Sequence, residues 1–376
     1  MRLLSVYLDN AATTALSPEI KEYITSMLDV FGNPSSSHSK GIETKRLVEE
    51  VRAKVAKFIQ ATTLESIYYT SSGSASNTLG IQGYVLANKC NILYSPIAHK
   101  SILKTIDNLV EFYGVKADEL KTDYCGNIDV ECLHQTLKKN EGSTLIVVEY
   151  ANSEIGTIQD IKMISDIVHK YGGKLFVDCT GSISTIPLDV AGLDIDIATF
   201  SAHKIGALKG VGVLYKKTDV TLFPLVFGSQ EQGLFAGTEN VLGILSLGKA
   251  IDLIDYDKLS YNRDFVWNNI KDVSGVSLVG VPLEKNRLIN NLYVCIKGVK
   301  GIDVVTLMDD LYETQISTGS ACNNGSPNPS STALAIGLSE EDANSCIRIS
   351  FSGNETEDEL KGFCESFKPC INMLKT

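Results

Sequence analysis

The stretch 196-DIATFSAHKIGALKGVGVLY-215 decides the fold. A strand-like apolar run meets a polar loop holding Ser201, His203 and Lys204, and glycines and a second apolar run follow. A lysine just past a strand is ordinarily a solvated end. It becomes chemically interesting where a site desolvates it, because it can then form a Schiff base. Upstream, 174-KLFVDCTGS-182 ends another apolar run on Asp178. A carboxylate at a strand's C-terminal edge lies where α/β sheets keep their ligands, or else it caps the next helix. With 144-TLIVVEY-150, these runs are short and apolar, as buried parallel strands are. Between them, 160-DIKMISDIVHKYGG-173 reads as a helix closed by glycines. Ser17-Pro18 marks a helix start, and Leu47, Val48, Val51, Val55, Phe58 and Ile59 form a stripe at helical spacing. The alternation predicts an α/β fold with a mostly parallel sheet covered by helices on both faces.

From residue 257 the pattern changes. Helices over 257–271 and 303–313, and two more opened by capping boxes at Ser339/Asp342 and Thr356/Glu359, surround a strand at 291-NLYVCI-296. The reading is a large domain over 15–256 and a smaller α+β domain made of 1–14 and 257–376. A chain of 376 residues, 44% hydrophobic, can fill both cores.

Lys and Arg number 34 against 45 Asp and Glu, and the net charge of −11 argues against nucleic acid as a direct contact. No apolar run reaches membrane-spanning length, and the N-terminus has no apolar leader core. The nine cysteines form no CxxC pair, and Cys132 with His134 lacks the second pair that zinc wants. The expectation is no metal, and free thiols in a reducing cytoplasm. Cys322 stands apart. In 316-ISTGSACNNGSPNPS-330 its neighbours are small polar residues that cannot bury it. A disulfide half, a metal ligand, a catalytic thiol and an idle surface residue each fit that setting.

In 68-YYTSSGSASNTLGIQG-83 a strand runs into hydroxyl residues and Gly73, then a helix. Backbone N–H groups and hydroxyls at a helix N-terminus suit an anion. Phosphate cradle, strand-end aspartate and loop lysine, in that order, are what pyridoxal 5'-phosphate (PLP) needs.

The stretches 7-YLDNAATT-14, 31-FGNPSSSH-38, 152-NSEIG-156, 199-TFSAHK-204, 236-AGTEN-240, 317-STGSAC-322 and 347-IRIS-350 carry a nearly end-to-end resemblance. They resemble the group I cysteine desulfurases (NifS/IscS-like) of the class V aminotransferase family, PLP-dependent transferases of fold type I. The resemblance implies that Lys204 carries PLP as a Schiff base and that Asp178 pairs with the pyridine nitrogen. His99, in 97-IAHK-100, would stack on the ring and take part in proton transfer. Gly73, Ser74, Ser201 and His203 would bind the phosphate. Thr238 would reach the neighbouring subunit's phosphate, which implies a homodimer. Arg348, Asn152 and Asn33 would hold the carboxylate of L-cysteine, with Asn152 also beside the cofactor. The Cys322 thiolate would take the substrate sulfur as a persulfide, leaving alanine. An acceptor protein in iron–sulfur assembly, tRNA thiolation or DNA phosphorothioation would receive it. The 26 residues from Cys322 to Arg348 resemble the long loop of group I.

The chain also departs from the family pattern. Gly181 stands where a glutamine bonds the 3'-oxygen of PLP, leaving that bond to water or to a neighbour such as Ser182. Ala75 and Ala98 stand where glutamates do, and 232-QGLF-235 lacks the arginines that commonly precede Ala236. These changes point to an altered PLP pocket and a dedicated acceptor. The rival readings are a selenocysteine lyase or another class V PLP enzyme, and a catalytically degenerate homologue acting as a binding or scaffold subunit.

Overall fold

The computed structural model describes residues 5–139, 142–256, 259–319 and 329–375. Strand β1 (Val6–Tyr7) opens it. Seven strands then build one sheet: β2 (Ile67–Thr70), β3 (Asn91–Tyr94), β4 (Ala117–Glu119), β5 (Thr144–Glu149), β6 (Lys174–Asp178), β7 (Ile197–Ser201) and β8 (Gly212–Lys216). Their order is β2-β8-β7-β6-β5-β3-β4. From β4 to β7 every pairing is parallel. The run 211–215, grouped above with parallel strands, instead lies antiparallel to both neighbours. Only a short 3-10 turn and two left-handed glycines, Gly206 and Gly210, separate β7 from β8. A parallel return needs a longer crossover than that.

Successive residues of the central strands feed two helical layers, as the period of two demands. Ile146, Val148 and Val177 face one layer, into which the helix Ser39–Phe58 inserts Val48, Val51 and Val55. Leu145, Val147 and Phe176 face the other, with Leu79 and Ile102 from the helices Gly73–Asn88 and Lys100–Tyr113. The helix over 160–173 forms as read: Asp160 caps it and Gly172 turns left-handed beyond its end.

The C-terminal part has its own sheet. Strands β9 (Val276–Leu278), β10 (Asn291–Ile296) and β12 (Cys346–Ser350) pair antiparallel in the order β12-β10-β9, while β11 (Thr314–Gln315) pairs with β1. Leu292, Val294, Ile347 and Ile349 face an apolar core with Phe363 and Phe367 of the helix Glu357–Leu374, and Val6 and Leu8 join it. The opposite face of the sheet carries Tyr293 and Arg348, directly opposed across β10 and β12. Of the two capping boxes, Thr356/Glu359 is complete. Ser339 caps the N–H of Asp342, but the Asp342 carboxylate bonds the Ser339 hydroxyl. Aspartate, one methylene shorter than glutamate, closes only half the box. Among the described residues no helix is long and apolar enough to cross a membrane.

Candidate active site

A cleft of about 360 Å³ opens where β5, β6 and β7 end, which is where parallel sheets place ligands. Asp178, the last residue of β6, is buried in it. Its carboxylate accepts from the amide of Asn77 at 2.8 Å and from the N–H of Thr180 at 2.8 Å. Asn77 sits one turn into the helix Gly73–Asn88, so that helix aims both its N-terminus and a side-chain amide at the cleft.

Ser72 caps this helix by accepting the N–H of Ala75, which is the local use of a position where the family pattern has a glutamate. Gly73 follows, and a Cβ there would stand 3.0 Å from Cβ of Ser201. The missing side chain keeps the backbone cradle open between the helix start and the end of β7. Ser74 and Ser201 line the same end of the cleft.

Lys204 lies on the short 3-10 turn Ala202–Ile205 after β7, and its ammonium reaches the carbonyls of Ala11 and Ala12 at 2.5 and 2.9 Å. The N-terminal segment thus crosses over the lysine. His203 bonds the Thr13 hydroxyl at 3.0 Å. Burial, helped by the charges of Lys204 and Lys209, pushes its pKa down to about 4, so it is neutral at physiological pH. His99 caps the helix Lys100–Tyr113, its Nδ1 accepting the N–H of Ser101 at 3.1 Å. Burial holds its pKa below the ordinary value against the opposing pull of Asp178, with Lys204 and Lys100 adding to the burial effect. A neutral ring with Nδ1 accepting carries its proton on Nε2.

Arg348 closes the far side. It is 1% exposed, pairs with Asp9 at 2.7 Å and reaches the Ser153 carbonyl at 3.3 Å, while its Nε is buried without a partner. Asn152 lies just outside the lining. Its amide donates to the Ile97 carbonyl and to Glu149, and its oxygen accepts the N–H groups of Glu154 and Ile155. A substrate contact from Asn152 would displace one of these bonds. Asn33 is exposed, bonds the N–H of Ser35 and is not among the residues lining the cleft. Thr238 borders a separate cavity with Tyr69 and Glu231. Cys322 lies outside the described residues.

At Gly181 a Cβ would stand 2.6 Å from the carbonyl oxygen of Ala151. Ser182 does not replace a glutamine there, because it is buried and its hydroxyl bonds the Cys179 carbonyl. Ala98 packs in the apolar core. Beside 232–235, the positive charge comes instead from Arg52, whose guanidinium forks onto Glu231 at 2.8 and 2.9 Å. Sequence reasoning missed Asn77 and Glu149. The second had a signal, a charged residue ending an otherwise apolar strand.

The class-V aminotransferase family profile matches residues 6–363. The chain belongs to that family. Within it, a relative from Dictyoglomus turgidum named cysteine desulfurase IscS is 36% identical, over 99% of this chain and 95% of its own. A NifS-like protein from Rickettsia africae superposes with a TM-score of 0.89 at 31% identity, covering 98% of this chain and all of that one. A further structure, SspA in complex with cysteine, superposes with a TM-score of 0.81 at 28% identity, over 93% of this chain and 99% of the other.

Proposed function

We propose that the chain is a PLP-dependent cysteine desulfurase that converts L-cysteine to L-alanine and leaves the sulfur as a persulfide on Cys322. One observation carries this reading: Lys204, Asp178 and His99 line a single cleft with a helix N-terminus at one end and a buried arginine at the other. Full-length relatives named cysteine desulfurase support the substrate.

The residues fit PLP. The cradle beside Gly73 is open, and the Thr180 hydroxyl that borders it is buried without a partner. Lys204 would hold the aldehyde carbon, Asp178 the pyridine nitrogen, and Ser74, Ser201 and neutral His203 the phosphate. When bound, PLP supplies an electron sink for charge developing at the substrate α-carbon. The chain does the rest. Arg348 holds the carboxylate, and the Lys204 amine takes the α-proton. His99, with its proton on Nε2, would be the nearby group able to pass a proton beside the bound cofactor. The Cys322 thiolate, a far stronger nucleophile than the thiol, would attack the substrate sulfur. The bond from that sulfur to the substrate β-carbon breaks, its electron pair stays with the carbon framework, and protonation there leaves alanine.

The same reading makes the enzyme a homodimer, since the resemblance has Thr238 reach the neighbouring subunit's phosphate, and gives it a sulfur-acceptor protein in a reducing cytoplasm. It divides the chain into 15–256 and 1–14 with 257–376, a division supported by separate apolar cores.

The test is to incubate the purified protein with PLP and L-cysteine, measuring alanine and mapping persulfide by mass spectrometry. Alanine with a persulfide on Cys322, both abolished by Lys204→Ala and both abolished by Cys322→Ser, is expected, and undiminished alanine from Cys322→Ser would overturn the persulfide step. A colourless protein that releases no alanine would overturn the reading.

A further inference from the structure

Buried strands exclude charge, yet β5 ends six buried positions on a glutamate. Glu149 is 6% exposed and lines the cleft. Among the described residues no lysine or arginine pairs with it, and its hydrogen bond is from the Asn152 amide at 2.6 Å. Asn152 is itself pinned, its oxygen accepting two N–H groups at 2.9 Å and its amide donating to Ile97 at 3.0 Å. The glutamate is therefore oriented by a group that cannot turn.

In the β5–β6 register Glu149 stands beside Asp178. A neighbouring carboxyl in a buried site makes ionisation of Glu149 costlier. Asp178 receives two N–H groups and Glu149 one. Burial raises the Glu149 pKa well above the carboxylate range, the Asn152 bond opposes only part of this, and Asp178 and Glu154 push it further up. The other titratable or charged groups lining the cleft are His99, His203, Lys204, Lys209 and Arg348. Such surroundings favour the neutral acid form, which has an O–H to donate where a carboxylate has none.

We propose that Glu149 is a positioning acid of the cofactor cleft, held neutral to donate a hydrogen bond to the ring oxygen of PLP that position 181 leaves without a side-chain donor. This rests on the PLP reading above. It explains how the cleft tolerates Gly181, where there is no room for a side chain: the donor comes from the end of the neighbouring strand instead.

Reconstitution of wild type, Glu149→Gln and Glu149→Leu with PLP tests it, read by PLP affinity and by the pH titration of the visible absorbance. Glu149→Gln, still a neutral donor, keeps affinity within about threefold and an unshifted titration, whereas Glu149→Leu binds roughly tenfold more weakly, as one lost buried hydrogen bond implies, with a displaced titration. Glu149→Leu matching wild type in both would overturn the proposal, as would Glu149→Gln failing as badly as Glu149→Leu. Infrared spectra of the PLP-free proteins decide the protonation separately. A protonated-carboxyl band present in wild type and absent from Glu149→Gln is expected, and a wild type without it defeats the idea even if Glu149→Leu does not fold. Wild type binding no PLP would sink the functional reading itself, a different outcome from any of these.

Discussion

An ideal Cβ at Gly181 would meet the Ala151 carbonyl oxygen at 2.6 Å and the Ser153 Cβ at 3.3 Å. From the sequence alone that glycine suggests a missing hydrogen bond to the cofactor, but in the fold it marks a position without room. The distinction is testable, because restoring a side chain should harm the protein. Gly181→Ala is expected to cost about 1–3 kcal/mol, the usual penalty for overpacking against fixed backbone, seen as a lower urea midpoint at unchanged slope. Gly181→Gln should bind PLP no better than the parent. A variant of unchanged stability and tighter PLP binding would show that the backbone yields. Lys204, Asp178, Ser201 and Arg348 were legible because each stands at or just after a strand end or within a quoted motif. Glu149 and Asn77 were not. The first hides at the end of an apolar run, and the second matters only because its helix packs with that face toward β6.

At the scale of elements, Asp196 ties the sheet together just before β7. Its carboxylate, fully buried, accepts from His169 at 2.6 Å, the Leu175 N–H at 2.8 Å, Lys174 at 3.0 Å and Lys217 at 3.1 Å. These donors come from the helix Ile161–Lys170, from β6 and from the residue after β8. Burial alone would raise its pKa, but the bonds from His169, Leu175 and Lys174 and the charge of Lys217 hold it down to about 2. A depressed carboxylate stabilises the fold above its ordinary pKa and loses that contribution as pH falls toward the folded value. Asp196 should therefore contribute about 2 kcal/mol at neutral pH that disappears between roughly pH 4 and pH 2. Asp196→Asn should flatten the urea midpoint over that window; an acid limb as steep as the parent's would place the linkage elsewhere. None of this network was readable from sequence, since its members lie on separate elements. The direction of β8 was hidden for a similar reason, because an apolar run states burial but not orientation, which the short glycine turn before it decides.

Across the whole molecule, the cleft is assembled from both cores. Lys204 and Asp178 come from the seven-stranded sheet and its edge, whereas Arg348 comes from β12 of the C-terminal sheet and is held by Asp9, near the other end of the chain. The alternation along β12 makes this placement firm: Ile347 and Ile349 are locked into the C-terminal core, so Arg348 must face the other way. On the proposed reading, cofactor and substrate contacts would rest on parts with separate apolar cores and should separate on mutation. Arg348→Lys keeps a positive charge beside Asp9 but loses the planar fork that suits a carboxylate. It is expected to raise KM for L-cysteine about 10- to 100-fold, the loss of one charged hydrogen bond or slightly more. The visible PLP band and PLP affinity should stay at parental values, since no lysine or aspartate of the large sheet has changed. Spectral titration with L-cysteine reads the first effect, and reconstitution with PLP reads the second. An unchanged KM would remove Arg348 from the substrate site. Loss of the PLP band along with the raised KM would mean that the two cores do not act independently at the cleft.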